Sequence, residues 1–173
     1  MRSIALAVSL CCAVCAAGQD GAKPAAVGDP VPELTLFGLD GQPVRLRDVK
    51  QPVIVLNFWA FWCDTWIAEL PQLRELAAQQ DALGFKLFAV SVDGVWTDQL
   101  RAVCGEQRLP FPVLVDRRRR ASRLLRLRRI PTIVVIDRRR EITYLHEGYP
   151  GNPEVLRAIR KAASVGQSDE AAP

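Results

Sequence analysis

At 173 residues and 49% hydrophobic content, the chain has the length of one ordinary domain and enough apolar material to fill its core, which excludes disorder over the whole length. Its formal charge of +4 comes from a regional excess, with arginines crowded into Arg117 to Arg120, Arg123, Arg126, Arg128, Arg129 and Arg138 to Arg140. No aromatic stacking platform interleaves them, which argues against nucleic acid as a partner and leaves two readings: a surface for acidic partners or anionic lipid head groups, or a solvated face in an arginine-rich composition.

In chain order, residues 1–18 read as a signal peptide: Arg2 supplies a positive start, Ile4 to Val14 an apolar run, and Ala16-Ala17-Gly18 small residues for cleavage. The run is shorter than the roughly 20 residues a spanning helix needs, so an uncleaved anchor is the second choice. Cys11, Cys12 and Cys15 lie in this leader, and lipid attachment to one of them is the other route to membrane tethering. Cleavage would leave Cys63 and Cys104 and an exported, periplasmic or extracytoplasmic protein.

Residues 19–30, rich in Gly, Ala and Pro, read as a linker into a domain spanning 31–163. Two short apolar runs, Leu34 to Phe37 and Val44 to Leu46, flank Asp40-Gly41 turn chemistry and predict a hairpin. Val53 to Trp59 is β-branched and almost continuously apolar, as a strand covered on both faces requires. From Cys63 to about Gln80 the period changes: Trp66, Leu70, Leu73 and Ala77 form one helical stripe, so strand passes to helix at Cys63. Pro71 within it predicts a kink.

Phe85 to Val92 is a second buried strand, and Thr97 or Asp98 caps a helix carrying Leu100, Val103 and Cys104. Val113 to Asp116 is a short strand, Ala121 to Arg129 a basic helical turn or two, and Thr132 to Asp137 and Ile142 to Glu147 two further strands. Asn152 as cap and Pro153 at the first helical position open a last helix with Val155, Ile159 and Ala162 inward. Residues 164–173 read as a frayed tail. His146 is the only histidine and has no companions for a metal site, so neither metal nor cofactor is expected.

The stretch Asn57-Phe-Trp-Ala-Phe-Trp-Cys63-Asp-Thr-Trp66-Ile-Ala-Glu69-Leu-Pro71 resembles the active-site segment of TlpA/ResA-type redoxins of the thioredoxin-like superfamily, in a degenerate Cys-x-x-Trp form. Supporting matches follow in order: the hairpin, Ser91-Val-Asp93, Phe111 to Asp116, and Ile130-Pro131-Thr132. The resemblance implies an α/β, thioredoxin-like fold, a mixed central sheet flanked by helices with an N-terminal β-hairpin extension. It also implies catalytic roles for Cys63 and Glu69, a cis-proline loop at Ile130-Pro131, and substrate contact through Trp62, Trp66, Ile130 and Pro131.

A cysteine at a helix N-terminus faces unpaired N–H groups and the positive end of the helix dipole, which stabilise charge on sulfur, while Asp64 opposes this if it points inward. Trp66 stands where the second cysteine belongs and cannot resolve a mixed disulfide; Asn57 replaces the buried acid of thioredoxins proper. Cys104 reads as a small core residue or as a remote resolving thiol.

Three functions fit. The first is a single-cysteine thiol-disulfide oxidoreductase acting on protein or small thiols, and the second a binding or scaffold module that lost turnover. The third is a thiol peroxidase, disfavoured because Ala60 stands where a peroxiredoxin offers a threonine hydroxyl. Oligomeric state is left open.

Overall fold

The computed structural model of the protein describes residues 23–93 and 98–165. The predicted leader, the Thr97 cap and all but the first two residues of the predicted tail lie outside them.

A seven-stranded mixed sheet, in the order β2-β1-β5-β4-β3-β6-β7, organises the described residues. The first hairpin is β1 (Thr35–Gly38) and β2 (Pro43–Arg45), antiparallel with Leu36 opposite Val44. Its turn is closed by Asp40, whose carboxylate accepts the Gln42 N–H at 3.0 Å, and by Gly41 at φ +89°, where a side chain would be strained.

The centre is β3 (Val53–Trp59), buried along its whole length. It runs parallel to β4 (Phe85–Ser91), which runs parallel to β5 (Val113–Val115); β3 is antiparallel to β6 (Thr132–Ile136), and β6 to β7 (Ile142–Glu147). Because successive side chains on a strand alternate between faces, β3 feeds two cores. Val53, Val55 and Trp59 join α1 (Asp64–Ala77), α3 (Asp98–Gln107) and α5 (Asn152–Ser164). Ile54, Leu56 and Phe58 join the hairpin residues Leu34 and Leu36 and the short α4 (Arg120–Leu124). A one-turn helix, α2 (Gln80–Leu83), leads from α1 into β4 and ends at Gly84, in the left-handed region at φ +66°. The helix α1 continues through Pro71.

Two expectations are corrected. Residues 25–30, the end of the predicted linker, dock on the domain: Ala25 N–H reaches the Leu125 carbonyl at 3.4 Å and Gly28 that of Ile142 at 2.8 Å, Pro30 bridges Glu141, and Val31, the first residue of the predicted domain, donates to the Arg140 carbonyl at 2.8 Å. Their backbone groups pair with Leu125 after α4, with Ile142 at the start of β7 and with the turn before it, which low apolar content along the segment did not reveal. The cap of α5 is Gly151 at φ +93°, not Asn152. Asn152 is buried within the helix, where its Nδ2 donates to the Gln72 carbonyl at 3.0 Å and to Glu75 Oε2 at 3.2 Å, and its Oδ1 accepts from the Tyr149 hydroxyl. It thus ties α5 to α1.

Removing that amide leaves buried partners unpaired, so Asn152→Ala should cost roughly 1–3 kcal/mol. Urea unfolding checks this: the midpoint falls while the slope stays the same.

Candidate functional site

Strand register gathers the site. Trp59, at the end of β3, lies opposite Ser91 at the end of β4; Ser91 lies opposite Val115 at the end of β5; and Phe58 lies opposite Thr132 at the start of antiparallel β6. One end of the sheet therefore collects the segment leading to Cys63, the loop after Ser91, the arginine-rich segment after Val115, and Ile130-Pro131.

After Trp59 the chain reverses over Ala60 to Cys63, closed by the Cys63 N–H donating to the Ala60 carbonyl at 3.0 Å. Asp93 braces this turn from β4's side: one carboxylate oxygen accepts the Phe61 N–H at 3.2 Å and the Ser91 hydroxyl at 2.6 Å. Cys63 is the N-cap of α1, with extended backbone and no capping hydrogen bond from its side chain. Its sulfur lies 3.0 Å from Thr65 Oγ1. The side chain is half-buried, touching both cores, and is a free thiol.

Thr65 did not emerge from the sequence, although a hydroxyl two residues after a helix-start cysteine was its signal. When the sulfur is charged the Thr65 hydroxyl must be the donor, adding a charge-assisted hydrogen bond to the favourable end of the helix dipole.

Trp66 is fully buried and stacks on Trp59, ring centroids 3.6 Å apart and planes 10° from parallel. This corrects its assignment to substrate contact: the third residue after the cap falls on the inner stripe of α1 with Leu70 and Leu73, and no ring surface remains for a ligand. Pro131 is likewise buried behind a cis Ile130–Pro131 bond, and its carbonyl accepts the Gly148 N–H at 2.7 Å. The exposed contributions come from Trp62, 63% accessible, and from half-buried Ile130, which line one concavity of about 220 Å³ with Val92 and Arg128.

Glu69 lies half-buried one turn beyond Trp66, with Oε2 unpaired. Burial pushes its carboxyl up to about 7. Its charge in turn acts on Tyr149, whose hydroxyl is raised first by burial and then by Glu69 and Glu75. Asn57, on the same face of β3 as Trp59, is buried with neither amide atom paired, and the indole N–H groups of Trp59 and Trp66 are also unpaired.

Cys104 is a second free thiol, buried on α3 beside Leu100, and burial pushes it up to about 11. It stays protonated at neutral pH, a core residue and a poor nucleophile. Among the described residues, no group of three His, Cys, Asp or Glu side chains could hold a metal ion.

Comparison with known proteins agrees with this geometry. Residues 27–145 match the AhpC/TSA family. The thiol-disulfide oxidoreductase ResA of Oceanobacillus iheyensis is 32% identical over 136 residues, covering 75% of this chain and 69% of that protein. The thioredoxin-like protein YneN of Bacillus subtilis is 33% identical over 95 residues, 53% of this chain and 54% of that one. Among solved structures, a Chlorobium tepidum chain described as a thiol:disulfide interchange protein DsbE superposes with TM-score 0.68 at 28% identity, covering 78% of this chain and 99% of that one. The exposed lipoprotein thioredoxin of Streptococcus pneumoniae strain TIGR4 gives 0.63 at 26% identity, with 75% and 99% coverage.

Two outcomes follow from the site's geometry. Thr65→Val should slow iodoacetamide alkylation of Cys63 by about three- to tenfold at pH 7, with Thr65→Ser near wild type, because the lost donor stabilises the charged sulfur. Glu69 in the folded protein keeps its proton to about pH 7, whereas the unfolded chain releases it near 4.5. Folded protein thus binds the extra proton in that window, and stability falls as pH rises through it. Glu69→Gln should flatten this slope and raise stability at pH 8, by roughly 1–2 kcal/mol once solvent screening of a half-buried group is allowed for, as read by denaturation at pH 4 and 8.

Proposed function

The chain belongs to the AhpC/TSA family and has a thioredoxin-like fold, and on that premise we propose that it is a thiol-disulfide oxidoreductase of the ResA type working through one cysteine, Cys63. The observation that carries this reading is a half-buried free cysteine capping the start of α1, its sulfur 3.0 Å from the Thr65 hydroxyl.

The Cys63 thiolate attacks one sulfur of a partner's disulfide; that S–S bond breaks, the other partner sulfur leaves as a thiolate and takes a proton from water, and Cys63 is joined to the partner by a mixed disulfide. Release requires an external thiol, from a protein or a small molecule, to attack the mixed disulfide, forming a new disulfide and returning the Cys63 thiol. Trp66 occupies the place from which a second thiolate would do this internally. Trp62 and Ile130 flank the partner, and Glu69, able to gain or lose a proton near neutrality, serves the proton traffic of exchange.

The leader-like residues 1–18 and the likeness to an exposed lipoprotein support action outside the cytoplasm, with tethering through an uncleaved or lipidated N-terminus as one form of it. Among the described residues, no helix is long and apolar enough to cross a membrane. The buried Trp59–Trp66 stack supports a second reading, a binding module, since it fills the second thiol's place with packing.

Incubation with oxidised glutathione followed by mass spectrometry should show a glutathione adduct on Cys63 and none on Cys63→Ser. Insulin reduction with a supplied monothiol should proceed faster with the wild type than with Cys63→Ser; an unmodified Cys63 would leave the binding module in its place.

A further inference from the structure

Residues 117–129 carry eight arginines and no acidic residue, twice the formal charge of the whole chain. All eight side chains are exposed. Sheet order determines where this charge goes: β5 is parallel to β4, its end lies opposite Ser91, and the Asp116 N–H donates to the Ser91 carbonyl at 2.9 Å, so the segment leaves the sheet at the end that carries Cys63.

The segment is held by one internal acid. Buried Asp116 accepts the N–H of Ala121 at 2.7 Å and of Ser122 at 2.8 Å, and also the Ser122 hydroxyl. That carboxylate is consumed by backbone and hydroxyl donors of its own segment, while the Arg117 guanidinium lies over the Phe37 ring, 3.9 Å from its centroid. Arg129 meets Glu147 at 3.7 Å, and Arg126 donates to the Lys23 carbonyl, which leaves its charge intact.

Two concavities adjoin here. The first, of about 220 Å³, runs from Trp62 and Ile130 to Arg119 and Arg128; the second, of about 640 Å³, shares Arg119 and Arg128 and continues past Arg123 and Arg126. Arg119 and Arg126 both sit at positive φ, +54° and +51°, a conformation costly for a residue with a side chain. Sharing Arg119, Ser122, Leu127 and Arg128, the two form one basic groove whose near end is the indole of Trp62, the residue before Cys63. Guanidinium groups bind carboxylates in a bidentate, charge-assisted way, so a groove of this length and sign suits several carboxylates in series.

We propose that this groove selects the partner: Cys63 exchanges preferentially with disulfides whose cysteine is flanked by acidic residues in an extended protein segment. The inference rests on the exchange reading above and names its substrate class. A protein segment is favoured over an anionic lipid surface because the arginines line a concavity that starts at the thiol's neighbour, Trp62, where a segment enters and a flat bilayer does not.

The test uses the full protein and three peptides, each carrying one cysteine as its mixed disulfide with 5-thio-2-nitrobenzoate and differing only in flanking Glu, Gln or Lys residues. At 20 mM NaCl the Glu peptide should release the yellow thiolate at least about tenfold faster than the Lys peptide, and at 500 mM the difference should shrink below about twofold. Arg123→Glu/Arg128→Glu, with circular dichroism as a folding check, should reverse the order at low salt. Equal rates at low salt would overturn the inference and leave the exchange reading standing. Serine versions of the peptides, which cannot react, separate groove from thiol by titration calorimetry: acidic-only binding supports the groove even if Cys63 proves inert, and equal or absent binding counts against it. Salt-sensitive sedimentation with phosphatidylglycerol vesicles, without any peptide preference, would assign the arginines to a lipid surface and overturn it as well.

Discussion

The hydrogen bond from the Cys63 N–H to the Ala60 carbonyl, 3.0 Å long, closes the turn on which all the chemistry is mounted. Before it the chain is a strand with no exposed residue; after it the chain is a helix whose first N–H groups have no partners within the helix. A cysteine at that junction is placed by two constraints at once, burial of β3 behind it and the helix dipole ahead of it. Asp93 makes the turn a property of two strands, because the carboxylate that holds Phe61 is itself held by Ser91 at the end of β4. Parallel pairing of β3 with β4 is what brings those groups together, so disturbing the sheet register disturbs the thiol.

The same turn determines what Trp66 can be. It lies three residues beyond the cap and its N–H donates to the Cys63 carbonyl at 3.0 Å, so its side chain is carried inward over β3, where it meets Trp59. An indole pair buried at this separation contributes area burial and stacking together, on the order of a few kcal/mol. The cost is visible in the same elements: Asn57, both indole N–H groups and Glu69 Oε2, all on β3 or α1, have no hydrogen-bond partner. Packing fills the position where the resemblance to TlpA/ResA-type redoxins puts a second thiol, and burial keeps Glu69 protonated up to about pH 7.

Much of this was legible in the residues because patterns with one physical cause map onto one structure. Val53 to Trp59 suits a doubly covered strand, and the switch to Trp66, Leu70, Leu73 and Ala77 located the start of α1 to within one residue. What escaped depended on partners distant in sequence. Asn152 looked like a cap because Pro153 followed it, yet Gly151 can take the positive φ that the cap position has here, freeing the amide to reach α1, 80 residues away at Gln72. Residues 25–30 lack an apolar period, and it is the distant Leu125, Glu141 and Ile142 that give their backbone somewhere to go. Thr65 was two residues from the cysteine, but its relevance is a distance between side chains. The arginines were obvious as composition and silent as geometry until β5 was placed beside β4.

That placement matters more in a protein with one reactive thiol than in one with two. A second cysteine lets an enzyme discard a wrong partner quickly, because the internal thiolate competes with further reaction and every mixed disulfide is short-lived. On the single-thiol reading proposed above, a partner once captured stays until an external thiol arrives, so discrimination acts at encounter, before the S–S bond is exchanged. Electrostatic complementarity acts there, raising association rates and suppressing wrong pairings over a range of about one Debye length, near 8 Å at physiological salt. Exposed Arg119 and Arg128 share a concavity with Trp62, the residue before the thiol, and the segment's buried acid, Asp116, is tied up by three donors. Loss of the resolving thiol and gain of a steering surface are on this view two sides of one change: selectivity moves from how fast the covalent intermediate is released to how often it is formed.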